Sequence, residues 1–301
     1  MSNQVPYVDL TEVLNAQTQQ DVDRAIQNTR GAPESQGMRR IQFIDEIRGI
    51  CVLAMVAFHS FFVLGSQFGV EWSTRAYEFF RPAQPAFAAI FILIAGFCAR
   101  LSRDILKRGF LLTGIAAGIS LITILLLPYL GFEGLRVWFG IIHLLAFSSL
   151  AFGFGRRIFD RVPALLGLIL CLALFFLFAP AGQGYLGLLG FHLDLPEALY
   201  RTNTLAFLGF GTPAFEAFDH FPILPYFFVF LFGTYMGKLA RNEKRGRTEL
   251  DKENLPEFCY RPHSIFFGFL GRHALLTYLL HVPVFYGVVY FLQTLFSIGK
   301  P

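Results

Sequence analysis

Charge is scarce in this chain: Asp, Glu, Lys and Arg together make up 15% of its 301 residues, while 54% are hydrophobic and 37 are Phe. With a mean hydropathy of +0.52, that balance excludes an ordinary water-soluble domain. Cysteine is sparse too. Cys51, Cys98 and Cys171 fall singly in apolar spans and Cys259 in a basic loop, so none has the paired spacing of a zinc or thioredoxin site. Reduced, structural thiols are expected. The first 37 residues lack a basic-then-apolar leader, so no cleavage is expected there. No repeat of 20 to 50 residues and no inverted pair of broken helices stands out, which removes the usual outline of a secondary transporter.

What the chain does have is a series of long apolar runs. About 20 residues cross ~30 Å of hydrocarbon. On that measure spans are expected near Ile47–Gly65, Pro85–Leu101, Gly109–Pro128, Val137–Gly155, Pro163–Pro180, Ile223–Lys238 and Phe266–Leu292, the last long enough to be tilted or to include an interfacial turn. The expected fold class is therefore all-α, a polytopic integral membrane helical bundle of seven transmembrane helices. The net charge of +4 does not point to nucleic acid, because the basic residues cluster beside the spans. One set of loops carries Arg100, Arg103, Lys107 and Arg108, then Arg156, Arg157 and Arg161, then Lys238, Arg241, Lys244, Arg245 and Arg247. The opposite loops hold only Arg75 and Arg81, Arg136, and Arg201. The positive-inside rule then puts the amino terminus in the cytoplasm and the carboxyl terminus outside.

Residues 1–38 read as a cytoplasmic tail. Within it Asp9 and Glu12 have capping-box spacing, and Leu10, Val13, Leu14, Val22, Ala25 and Ile26 share a face, predicting a short amphipathic helix that ends by Gly31. The stretch from Ala181 to Phe221 is too long and too rich in Gly and Phe for a simple loop, and predicts a partly re-entrant or interfacial segment over the extracytoplasmic mouth. Gly114 with Gly118, and Gly233 with Gly237, place small residues one turn apart, where helix backbones can approach closely.

The histidines are the informative polar residues. At ~1.5 Å per helical residue, His59 lies about 16 Å beyond Arg48, and His281 about 13 Å beyond Arg272 in a span running the same way. His143 lies about 10 Å below Arg136, measured from the other face. An ionisable group at such depth costs roughly 2.5–3.5 kcal/mol when charged, so each is a candidate functional residue facing the bundle interior or a wet cavity. The alternative for each is a neutral hydrogen bond between helices. Zinc is disfavoured, since the separations are long, no span has a histidine pair one turn apart, and no carboxylate lies at ligand spacing. A serine triad is weak as well, because Ser60 projects about 100° around the helix from His59. Asp45 and Arg48 share a helical face at the start of the first span.

The motifs carry a resemblance. Arg40-Ile-Gln-Phe-Ile-Asp45-Glu-Ile-Arg48-Gly49, with His59 ten residues on, resembles the opening of bacterial membrane proteins similar to the catalytic domain of heparan-alpha-glucosaminide N-acetyltransferase. The likeness continues in order through Phe91-Ile-Leu-Ile-Ala-Gly96 with Leu101-Ser-Arg103 and Lys107-Arg108-Gly109, then Trp138-Phe-Gly140-Ile-Ile-His143. It ends with Asp219-His-Phe-Pro222-Ile-Leu-Pro225-Tyr and with Gly271-Arg272 through Tyr278-Leu-Leu-His281-Val-Pro283. The first and last motifs also occur in the wider acyltransferase-three membrane family. One departure is His220, where an aromatic residue would be expected after Asp219.

The resemblance implies a transmembrane acyltransferase-like domain over residues 39–301. It would move an acetyl (acyl) group from cytosolic acetyl-CoA to an amine or hydroxyl on the far side of a bacterial inner membrane. It implies His59 as general base, or as a transient acyl carrier in a two-step reaction, with His143 and His281 orienting it, donating to the oxyanion or binding acceptor. Arg48, Arg100, Arg103, Lys107, Arg108 and Lys238 would form a basic rim for the CoA phosphates. The Asp45 and Arg48 pair would fix the first helix, and Asp219 and Tyr226 would grip the acceptor. For Asp219 the alternative is an N-cap before the sixth span. Nothing selects glucosamine, so a cell-envelope glycan or another extracytoplasmic small acceptor is expected rather than heparan. The partners expected are the lipid bilayer, acetyl-CoA and that acceptor, with a homo-oligomer left open. The competing classes are a permease or proton pathway and a non-catalytic membrane scaffold.

Overall fold

A computed structural model describes residues 40–129, 134–215, 217–240 and 255–297. The amphipathic helix expected before Gly31, and Arg241, Lys244, Arg245 and Arg247, lie outside the described residues. In hydrocarbon every backbone N–H and C=O must be satisfied within the segment, so the apolar runs form helices. We label them α1 (Gln42–Phe68), α2 (Glu71–Phe80), α3 (Gln84–Leu101), α4 (Ile105–Leu121), α5 (Ile141–Arg161), α6 (Ala164–Phe178), α7 (Ile223–Ala240), α8 (Ile265–Arg272) and α9 (Ala274–Ser297). Among the described residues, seven helical stretches are long and apolar enough to cross a membrane, and each overlaps one of the expected runs.

The boundaries differ where a local signal outweighs hydropathy. The second stretch starts at Glu71 rather than Pro85. Gly69, at φ +67°, closes α1 with its N–H on the Leu64 carbonyl. The chain then re-enters helix at once, and Ser73 donates to the Phe61 carbonyl at 2.9 Å to fasten α2 onto α1. Pro82 and Pro85 interrupt it only as a 3-10 turn, Arg81–Ala83. The fourth stretch begins at Ile141 and runs on through Arg161, because Arg156, Arg157 and Arg161 lie in the helix rather than after it. The last run divides at His273 into α8 and α9, which is the interfacial-turn alternative. The Ala181–Phe221 segment contains a hairpin, β1 (Tyr185–Leu188) with β2 (Phe191–Asp194), and short 3-10 turns. Among its described residues there is no α-helix, and its last residues anneal to the chain before α5, with Phe218 N on Arg136 O and Phe221 N on Phe139 O.

Glycines set which helices touch. α3 and α7 cross so closely that a Cβ on Gly96 would overlap the Phe230 carbonyl, and one on Gly233 the Leu93 carbonyl. Gly237 faces Arg100 in the same crossing. α1 meets α8 in the same way, through Gly49 on the Phe267 carbonyl and Gly271 on the Asp45 carbonyl. Gly233 and Gly237 thus pack as their spacing suggested. Gly114 and Gly118 do not: among the described residues, no neighbouring element comes within 4 Å of a Cβ at either position. The buried core around Ile92, Leu144, Phe152 and Phe230 joins α3, α5 and α7, while α4 turns Leu111 and Leu121, and α6 turns Leu165, Ile169 and Leu172, outward, where hydrocarbon solvates them.

Candidate functional site

His59 is carried by α1 and His281 by α9, and the two rings meet. His59 Nδ1 lies 2.8 Å from His281 Nε2. The ring planes differ by only 20° with centroids 5.1 Å apart; with so short an N to N contact this is an edge-to-edge hydrogen bond rather than a face-to-face stack. The tautomers follow from the outer partner. His281 Nδ1 lies 2.6 Å from the Tyr278 carbonyl, which can only accept, so Nδ1 carries the hydrogen and Nε2 of the neutral ring is an acceptor. His59 Nδ1–H therefore donates to it. That leaves the lone pair of neutral His59 on Nε2, for which no described residue supplies a hydrogen bond. His59 is 5% exposed, and Phe218 covers it with ring centroids 4.6 Å apart.

His59 forms part of the wall of a cavity of about 190 Å³ whose other lining includes Cys51, Phe58, Phe87, Asp219 and Tyr278. Asp219 is also buried, at 4% exposure. Its Oδ2 accepts from the Ile141 amide at 3.1 Å and from the Tyr278 hydroxyl, so it caps the first turn of α5 rather than α7, and it ties that turn to α9. Gly140 makes the approach possible, since a Cβ there would overlap Asp219 Oδ2. Burial pushes the Asp219 carboxyl above the usual carboxylate range, against the pull of the Tyr278 hydroxyl and the Ile141 amide. Asp219→Ala leaves a buried N–H and O–H unpaired, at about 1–3 kcal/mol each. A marked fall in thermal unfolding temperature is expected, smaller for Asp219→Asn, which keeps an acceptor oxygen.

The third histidine is elsewhere. His143 Nδ1 accepts from the Gly140 amide at 3.2 Å, and Nε2 lies 2.9 Å from Ser120 Oγ, which in turn donates to the Val137 carbonyl at 2.9 Å. Both ring nitrogens are engaged in holding the start of α5 against α4, beside the π turn Ile122–Leu126, whose Thr123 Oγ1 accepts from Val137 N at 3.2 Å. His143 does not line the cavity. Tyr226 packs edge-on against Phe221, centroids 5.2 Å apart, and does not line it either.

At the basic end the rim separates into distinct roles. The Asp45 and Arg48 pair forms, with Nη1 3.1 Å from Oδ1, and Arg48 Nη2 reaches Cys98 Sγ at 3.0 Å. Arg108 is within electrostatic reach of Arg48 and Cys98. Arg103 and Lys107 are exposed, the latter 3.7 Å from Asp104. Arg100, by contrast, is buried and paired with Asp160. Lys238 donates to the Asp160 and Val162 carbonyls at 2.7 and 3.0 Å, closing the end of α5. These two residues bind helices together.

Sequence reasoning missed three contributors. Glu46, buried in α1, accepts from the His263 and Ser264 amides at 2.6 and 2.9 Å and so anchors the start of α8. Tyr278 and Phe218 complete the surroundings of the histidine pair. Only the spacing Tyr278 to His281, one turn on a shared face, was available as a signal.

A seven-span helical membrane protein with a hydrogen-bonded histidine pair beside an apolar cavity is the class that these features define. The chain belongs to the family described as heparan-alpha-glucosaminide N-acetyltransferase, catalytic, which it matches over residues 40–283. That family carries transmembrane acetyltransferase activity. No curated protein and no solved structure matches the chain.

Proposed function

We propose that the protein transfers an acetyl (acyl) group from cytosolic acetyl-CoA to a hydroxyl or amine of an extracytoplasmic acceptor, a cell-envelope glycan or similar small molecule. The observation that carries this reading is the His59–His281 pair: His59 lines the cavity, and its hydrogen bond to His281 uses Nδ1 and leaves Nε2 without a partner among the described residues. Such a nitrogen can take the proton of an attacking hydroxyl or amine. His59 is the catalytic base. His281 is a positioning residue: it fixes the His59 tautomer, and it accepts the Nδ1–H of the imidazolium once His59 is charged. Phe218 and the apolar wall limit water around the charge, which strengthens that hydrogen bond.

The basic end fits the donor. Arg48, with Arg108 close by, offers charge-assisted hydrogen bonds to phosphate. Cys51, less than one helical turn beyond Arg48, already lines the cavity. Acetyl-CoA supplies the thioester, whose C–S bond breaks as the new C–O or C–N bond forms, the acceptor proton passing through His59 to the leaving thiolate, which departs as the thiol. The positive-inside loops support a cytoplasmic amino terminus, which sets Arg48 on the donor side and Asp219 towards the acceptor.

Thiol release from acetyl-CoA by the purified protein, measured across a panel of amine and sugar-hydroxyl acceptors, tests the reading. Acetyl-CoA is also expected to raise the unfolding temperature in proportion to RT ln(1 + [L]/Kd), and Arg48→Ala to lose most of that rise. Absence of both release and stabilisation rejects the proposal.

A further inference from the structure

The cavity beside His59 is larger and more apolar than an acetyl group requires. An apolar cavity of about 150 Å³ takes up benzene, so six or more carbons fit in this one. The room comes from alanines on facing helices, Ala54 and Ala57 of α1 and Ala88 of α3, with Phe rings closing the sides. Of its polar lining, Asp219 and Tyr278 are bonded to each other. The cavity is also not sealed. Phe80 and Phe87 belong to its wall yet are 45% and 38% exposed, and Ala57 is exposed as well. Ala57 lies about 14 Å along the helix from Arg48, so the opening is at hydrocarbon depth and gives onto lipid rather than water.

From this we infer that the cavity is an aliphatic-chain site: the substrate that meets His59 carries a hydrocarbon chain, which lies between α1 and α3 and continues into the bilayer past Ala57 and Phe87. The inference rests on the acyl-transfer reading for what the chain is attached to. The chain belongs either to an acyl group longer than acetyl on the donor or to a lipid-linked acceptor. Because lipid is already apolar, the cavity adds little binding energy for a chain; it acts by holding the reactive end in line with His59. The effect is therefore one of selectivity.

The test uses the full-length protein in lipid nanodiscs. A palmitoyl probe bearing a terminal diazirine reports where a chain lies. Acetyl-, hexanoyl- and decanoyl-CoA, each with methyl or dodecyl glucoside, report whether the chain matters to turnover. Cross-links are expected on cavity residues of α1 and α3. They should fall about tenfold in Ala57→Phe, whose ring overpacks the opening and excludes the chain. They should be unchanged in Leu53→Phe, on the exposed face of α1 outside the cavity. A preference for longer acyl-CoA assigns the chain to the donor and a preference for dodecyl glucoside assigns it to the acceptor, and whichever holds should collapse in Ala57→Phe. Cross-links in the cavity with turnover blind to chain length would mark a structural lipid and overturn the inference, as would cross-links indifferent to Ala57→Phe. No turnover with any pair, but cross-links that respond to Ala57→Phe, would reject acyl transfer and leave the chain site standing.

Discussion

His59→Ala lowers acyl transfer by about 10²–10⁴-fold, the usual worth of a positioned general base, while the protein still folds, as judged by helical content and a cooperative unfolding transition. The size follows from the geometry. His59 is the only titratable residue that combines a cavity-facing position with a ring nitrogen left unpaired among the described residues. Asp219 and Tyr278 also reach the cavity, but each is committed to the other. His281 does not line the cavity, and its Nδ1 is held on the Tyr278 carbonyl, so it is not placed to take over. Transfer by the variant at the wild-type rate would remove His59 from the mechanism.

Gly96→Leu is expected to abolish the folded state or lower its stability by about 3 kcal/mol, the upper part of the usual cost of overpacking. Here the obstruction is the Phe230 carbonyl, which is backbone and cannot rotate aside. The α3–α7 crossing would have to open, and with it the core around Ile92 and Phe230. Gly114→Leu is the control. Among the described residues nothing meets a Cβ there within 4 Å, and Leu is the better helix former by roughly 1 kcal/mol, so this variant should be as stable as the parent or slightly more so. Thermal unfolding in detergent or nanodiscs reads both. Equal losses at the two positions would contradict the helix arrangement.

That pair of glycines shows what the sequence could and could not convey. Gly114 with Gly118 and Gly233 with Gly237 have the same spacing and equally apolar neighbours, and only the second pair faces another helix. Spacing defines a face of a helix, but the partner of that face is a tertiary fact. Span count was legible because hydrocarbon demands long apolar runs. Span ends were less so where arginines stay within the helix, as in α5, or where a glycine cap and two prolines bend the chain without stopping it, between Phe68 and Gln84.

The histidines divide in the same way. Depth identified all three as unusual, yet His59 and His281 meet across 222 positions of sequence while His143 serves as a helix cap and a link to α4. Likewise Asp219 sits just before the sixth span, where an N-cap for that span is the local reading, and it caps α5 instead. Local spacing spoke clearly for Asp45 and Arg48, one helical turn apart, and the ion pair forms. It was silent on Arg100 and Lys238, whose counterparts at Asp160 and the end of α5 come from elsewhere in the chain.

The most direct test of the histidine pair is a double-mutant cycle on acyl transfer with His59→Ala, His281→Ala and the two combined. If His281 acts only by fixing and supporting His59, its loss costs activity in the parent and nothing further once His59 is gone, so the double variant matches His59→Ala alone. Independent losses that add in free energy would contradict the paired base on which the mechanism stands.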